Sequence, residues 1–144
     1  MDGVTHINIY SQGKTSLGRD LSNFAATRID TIDGVFASIE GYWYWLNTND
    51  PDKKYLRVAV GGNAKSLGRS LKANDWNDEP VFKLKIWSAM LTKLLLHPNI
   101  LSEFKSNKLP YRHYYVYAGK VQEPEGGKWI IDMWTFLQEQ LCTS

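Results

Sequence analysis

The sequence predicts an α+β fold: a single compact, helix-rich domain spanning residues 1–144 with a small β-sheet. Three observations carry that prediction. From Pro80 onward, apolar residues fall at helical spacing. Near residues 6–10 and 28–38, short stretches alternate between apolar and polar side chains as half-buried strands do. The chain is 144 residues long, 43% hydrophobic and 22% charged, which suits one folded domain with a buried core and excludes a disordered tail. A formal net charge of +2 is too small for a general nucleic-acid binder, whose mark is a strongly basic face. It still suits a small anionic ligand held by local lysines and arginines.

Taken in order, "HINIY" (6–10) reads as a short strand, and "RIDTIDGVFAS" (28–38) as a hairpin turning at Asp33-Gly34. Ser38 is positioned to cap a helix through "IEGYWYWLN", with Glu40 in its first turn. Asp50 as cap and Pro51 as first helical residue start a second helix, with Gly61-Gly62 as its stop. Asn63 is expected to cap a short helix through "AKSLGRSL", followed by the loop "KANDWNDEP". The helix from Pro80 presents Phe82, Ile86, Ala89, Met90 and Leu94 on one face and ends near His97-Pro98, where "PNILSEFKS" begins another. "RHYYVYAGKV" (112–121) reads as one strand. A last helix carries Ile130, Met133, Leu137 and Leu141 at helical spacing.

No basic start followed by an apolar run opens the chain, and its most apolar stretch is interrupted by Lys93, so a cytoplasmic protein is expected. One cysteine, Cys142, forms no intrachain disulfide. His6, His97 and His113 lack metal-ligand spacing, so neither metal nor cofactor is expected. Six tryptophans and eight tyrosines exceed what a core of this size commonly uses; they either line a pocket or make an aromatic core.

"SLGRDL" (16–21) returns as "SLGRSL" (66–71), but the segments around the two copies share nothing, so this is not a repeat fold. In the second copy, Lys65 and Arg69 lie four apart, on one face of a helix, with Gly68 leaving room for close approach. They make a candidate phosphate site or a solvated basic face. The first copy runs into "LSNF", where Ser22 and Asn23 sit between Leu21 and Phe24, either reading a base or ribose edge or forming an Asx turn. Glu40 lies between Ile39 and an aromatic run; burial there would raise its pKa toward a range useful for proton transfer, whereas an exposed position would leave it a helix-dipole partner. Trp76 is a stacking surface or an anchor. His113 could face a pocket or complete a sheet.

In order, "LSNF" (21–24), "DGVFASIEGYW" (33–43), "AKSLGR" (64–69), Trp76 and "IWSAMLTKLLLHP" (86–98) resemble the NADAR superfamily, also called YbiA-like. The resemblance implies a helix-rich α+β fold and cleavage of N-glycosidic bonds at ribose C1. The implied substrates are an ADP-ribose adduct such as ADP-ribosylated guanine, free or in nucleic acid, or a ribose-phosphate intermediate. By position, Glu40 falls on the family's acidic residue and would orient or activate water. Asn23, with its neighbours Ser22 and Phe24, would meet the ribose or base, Lys65 and Arg69 the phosphate, and Trp43 or Trp76 the ring. Arg19 and His113 are further candidates, and Lys93 falls on the lysine of the long helix. After Glu40, where the family has His-Tyr-Tyr-Gln and then a lysine, this chain has Gly41-Tyr42-Trp43-Tyr44, with Asn47 near the lysine position. These departures motivate the alternative of a non-catalytic module that binds an ADP-ribose-like ligand.

Overall fold

A computed structural model describes residues 1–72 and 74–142. In chain order the elements are β1 (Ile7–Asn8), α1 (Ser16–Leu21), β2 (Ile29–Thr31), β3 (Gly34–Phe36) and α2 (Ile39–Leu46). A 3-10 helix (Pro51–Arg57) then leads to α3 (Gly61–Ser70), α4 (Pro80–Leu96) and α5 (Pro98–Ser106). The chain continues with β4 (Tyr111–Arg112), β5 (Tyr115–Tyr117), β6 (Lys120–Gln122) and α6 (Lys128–Leu141). Helix and strand are mixed as the α+β reading expects. Two compact units emerge, one built from Met1–Ser22 with Pro98–Ser144, the other from Asn23–His97.

In the first unit, β1 and β4 pair in parallel, with Ile7 opposite Tyr111. The core gathers Leu17, Leu21, Phe104, Trp134 and Leu137, with Phe104 stacked on Tyr111 at 5.7 Å between ring centroids. On α6 the buried face centres on Trp134 and Leu137, while Ile130, Met133 and Leu141 are only half-buried. The stripe is therefore turned from the expected one, because the bulkiest side chain takes the interior. The expected strand at 112–121 is interrupted. β4 stops at Arg112, and β5 and β6 form a separate antiparallel hairpin whose turn uses left-handed Ala118 (φ 50°) and Gly119 (φ 77°).

In the second unit, β2 and β3 pair with Thr31 opposite Gly34, so the two-residue turn is Ile32-Asp33, one position earlier than expected. Thr31 and Gly34 close it through a 2.8 Å hydrogen bond from the Thr31 hydroxyl to the Gly34 carbonyl. The stripe Phe82, Ile86, Ala89, Met90 and Leu94 of α4 is buried, as its spacing predicts, against a core that includes Ile29, Phe36, Ile39, Tyr42 and Leu56. Lys93 is fully buried on the same helix. Asp50 caps the 3-10 helix through Asp52 N–H at 2.8 Å, with Pro51 as its first residue.

Gly61-Gly62 opens α3 instead of stopping the helix before it. Gly61, at φ 54°, takes the left-handed backbone that redirects the chain, and Val60 stands at the N-cap, so Asn63 lies inside the helix. Both hexapeptides are helical, in α1 and at the end of α3. Each buries its glycine. A Cβ on Gly18 would stand 2.3 Å from the Asn8 carbonyl oxygen, and one on Gly68 would stand 2.1 Å from Tyr44 Cγ. The shared letters solve the same packing problem twice.

Candidate functional site

The site grows from two helices of the second unit. Ser38 caps α2 by accepting from Gly41 N–H at 3.1 Å and donating to the Ala59 carbonyl at 2.9 Å. A Cβ on Gly41 would lie 2.3 Å from the Leu56 carbonyl oxygen, so the glycine admits the 56–59 backbone against the first turn. Glu40 N–H donates to the Asn23 carbonyl at 2.9 Å, which fixes "LSNF" to the start of α2. With α2 so anchored, Glu40, Trp43, Tyr44 and Asn47 follow at the spacing of one helical face. On α3, Lys65 and Arg69 share a face, and the ring of Tyr44 lies across the chain at Gly68.

Electrostatics tie these residues together. Burial pushes the Glu40 carboxyl up to about 7, against the opposing pull of Lys65 and then Arg69. Burial likewise holds Tyr44 above its usual range; the Glu40 charge adds to this, and Arg69 opposes it through its charge and a hydrogen bond to the hydroxyl. A carboxyl that titrates near neutrality, faced by two cations and a tyrosine, can exchange a proton with water beside an anionic ligand.

Beyond Tyr44, the same helices and the loop after α3 border an open depression of about 320 Å³. Trp43, Tyr44 and Arg69 line it, but Glu40 does not, so the carboxyl lies beside the depression and the two regions share Tyr44 and Arg69. Its far wall is organised by Asn47, which is 2% exposed. Asn47 Nδ2 donates to the Trp43 carbonyl at 3.2 Å and to Asn77 Oδ1 at 2.7 Å, while its Oδ1 accepts from Trp76 N–H at 2.9 Å. Its own carbonyl accepts from Asn74 N–H at 2.7 Å and Asn74 Nδ2 at 3.1 Å. Backbone partners fix which end of the amide is which.

The expected residues thus fall into three groups. Asn23, Glu40, Lys65 and Arg69 gather where α2 begins and α3 runs past it, with Phe24 3.8 Å from the Cβ position of Gly61. Trp43 packs edge-on to Phe82 at 4.8 Å, and Trp76 is half-buried in the loop that Asn47 holds. The remaining three lie in the other unit. Arg19 is exposed and donates to the Gly13 carbonyl at 2.8 Å, Ser22 is the buried C-cap of α1, and His113 Nδ1–H donates to the Ile9 carbonyl at 2.6 Å.

Sequence reasoning missed Tyr44 as a site residue and Asn47 as an organiser. The aromatic excess is divided. Tyr42 and Trp45 pack with Phe36 as core, its edge covered by Lys53 3.9 Å over the Trp45 ring and Arg57 4.7 Å over the Phe36 ring, whereas Trp43 and Tyr44 face the depression. Among the described residues no group of three or more His, Cys, Asp or Glu side chains is placed to hold a metal ion. No described helix is long and apolar enough to cross a membrane.

Comparison with solved structures gives a match to the NMR structure of the E. coli protein YbiA, with a TM-score of 0.70, covering 96% of this chain and 89% of that one at 22% sequence identity. The chain has the YbiA fold. No family model and no curated protein matches the sequence. The YbiA likeness therefore speaks for the architecture, the α+β arrangement expected from the ordered motifs.

Proposed function

We propose that this chain is a metal-independent N-glycoside hydrolase acting at ribose C1 of an ADP-ribose adduct or a ribose-phosphate compound. One observation supports the reading most: the Glu40 carboxyl, raised to about 7, stands within the electrostatic reach of Lys65 and Arg69. The YbiA fold and the ordered motifs lend it further support. In this reading Lys65 and Arg69 hold the ligand phosphate and Asn23 lies beside the ribose or base.

As the C1–N bond lengthens, its electron pair leaves with the base and C1 gains oxocarbenium character. Ionised Glu40 accepts a proton from water as the water oxygen bonds to C1, and that proton ends on the departing nitrogen. Water supplies both the hydroxyl and the proton, so the reaction balances without another reagent.

The test is incubation with ADP-ribosylated guanine DNA and, separately, with a pyrimidine ribose phosphate, following release of ADP-ribose or ribose phosphate. Turnover is expected to rise as pH increases through about 7, as Glu40 ionises. Glu40→Gln is expected to keep ligand affinity and lose most turnover. Unchanged turnover in that variant removes Glu40 from the reaction. Binding without release by the native chain establishes the sequestering module instead.

A further inference from the structure

The hairpin of β5 and β6 is a two-stranded sheet of its own, open on both faces. Val116, Tyr117 and Val121 are 63%, 73% and 58% exposed. A lone two-stranded hairpin is marginal in water, and further strands make it secure. Its ladder shows where they can join. Tyr117 and Lys120 flank a two-residue turn and Tyr115 lies opposite Gln122, so these pairs exchange the hydrogen bonds within the hairpin. Val116 and Val121 form the intervening non-hydrogen-bonded pair, which turns the N–H and C=O of each outward, toward the two edges.

The two edges differ. On the β5 side, two residues before Val116, Tyr114 has both backbone groups taken by the Asn8 side chain. Tyr114 N–H donates to Asn8 Oδ1 at 3.0 Å, and Asn8 Nδ2 donates to the Tyr114 carbonyl at 3.0 Å. An amide thus stands where a neighbouring strand would. The β6 edge has no such cover: Lys120, Val121, Gln122 and Glu123 are all exposed, and no strand among the described residues pairs beyond them. An open edge of this kind is a template for another strand.

We infer that β6 is a self-pairing edge: two copies of this chain join β6 to β6, antiparallel, about a two-fold axis through Val121, and form a four-stranded sheet. The outward N–H and C=O of Val121 meet the same groups of the partner's Val121 in a mutual pair, as an isologous contact requires. Val116, Val121 and their two counterparts then make one apolar row across four strands. Charge selects this register. Lys120 falls opposite the partner's Gln122, and Glu123 opposite the partner's Gly119, whereas an axis through Glu123 would oppose two carboxylates. Pairing also closes the assembly, because its outer strands present the β5 edges that Asn8 covers. So short a strand buries well under the roughly 800 Å² per partner of a tight interface, so the dimer is weak, with a Kd on the order of 100 μM.

The experiment is sedimentation velocity with ¹⁵N–¹H NMR on the native chain, from about 10 μM to about 1 mM, a range that brackets the expected Kd. Gln122→Lys and the double variant Lys120→Glu with Gln122→Lys are run beside it. The native chain should pass from monomer to dimer, with concentration-dependent amide shifts centred on residues 119–123. Gln122→Lys places a second ammonium group opposite the partner's Lys120, twice by symmetry, and should weaken the dimer about fivefold. The double variant places opposite charges there and should pair at least as tightly as the native chain. Both positions are exposed, and circular dichroism checks that each variant is folded. A native chain that stays monomeric throughout, shifts centred away from β6, a dimer indifferent to Gln122→Lys, or no recovery in the double variant overturns the assignment.

Discussion

Replacing Glu40 by glutamine should stabilise the protein at alkaline pH while removing the acid on which the proposed reaction depends. The carboxyl is raised from 4.5 to about 7 by burial, a value that already includes the attraction of Lys65 and Arg69. At about 1.4 kcal/mol per pKa unit, keeping it ionised in the folded state costs about 3 kcal/mol. The sign follows from proton linkage. Between 4.5 and about 7 the folded chain binds more protons than the unfolded one at this group, so stability falls as pH rises through that window. Below 4.5 the cost is absent, and above about 7 it is fully present.

Glutamine keeps the shape without the charge. Glu40→Gln should therefore match the native chain near pH 4 and exceed it near pH 8 by about 3 kcal/mol, on the order of 10 °C in Tm. Urea unfolding at a series of pH values measures the difference directly. A difference that does not change with pH, or one that favours the native chain above neutrality, refutes the claim that the carboxyl is held in a desolvating site.

Two other substitutions probe how the site is assembled. Gly68→Ala places a methyl carbon 2.1 Å from Tyr44 Cγ, so Tyr44 must move or α3 must withdraw; a loss of about 1–3 kcal/mol is expected in denaturant unfolding, despite alanine's better helix propensity. Asn47→Ala strands the Trp76 N–H and the Asn77 side-chain oxygen. It should cost about 1–3 kcal/mol and alter tryptophan fluorescence as the 74–77 loop loosens, whereas an unchanged spectrum and melt would show that the loop is held by other means.

How much of this was legible in the sequence depended on how local each cause is. Ser38 capping α2, Asp50 with Pro51 starting the 3-10 helix and the apolar face of α4 arise within a few residues, and the periodicity displays them. Glu40 with Lys65 and Arg69 could be nominated from spacing and resemblance, but their mutual approach depends on α2 meeting α3 at Gly68. Gly68 pointed to close approach, though not to the tyrosine ring that approaches it, and at Gly41 it is backbone that comes near.

The organising role of Asn47 is not legible in the sequence because its partners Asn74, Trp76 and Asn77 lie 27 to 30 positions away, and an asparagine after an aromatic helix resembles any helix end. Tyr44 was hidden by its neighbours. "YWYW" does not reveal which rings enter the core until α2 is oriented. Gly61-Gly62 misled for a related reason: a glycine pair looks like a stop, yet a left-handed glycine can also turn the chain into a new helix.

The central claim is that one acid on α2 is held half-protonated near neutrality between a desolvating surround and two cations on α3. A ¹³C NMR titration of the Glu40 carboxyl, in the native chain and in Lys65→Ala, tests it most directly. The account predicts a midpoint at about 7 in the native chain and a higher one once the Lys65 charge is removed. An ordinary glutamate midpoint, unmoved by Lys65→Ala, would contradict it.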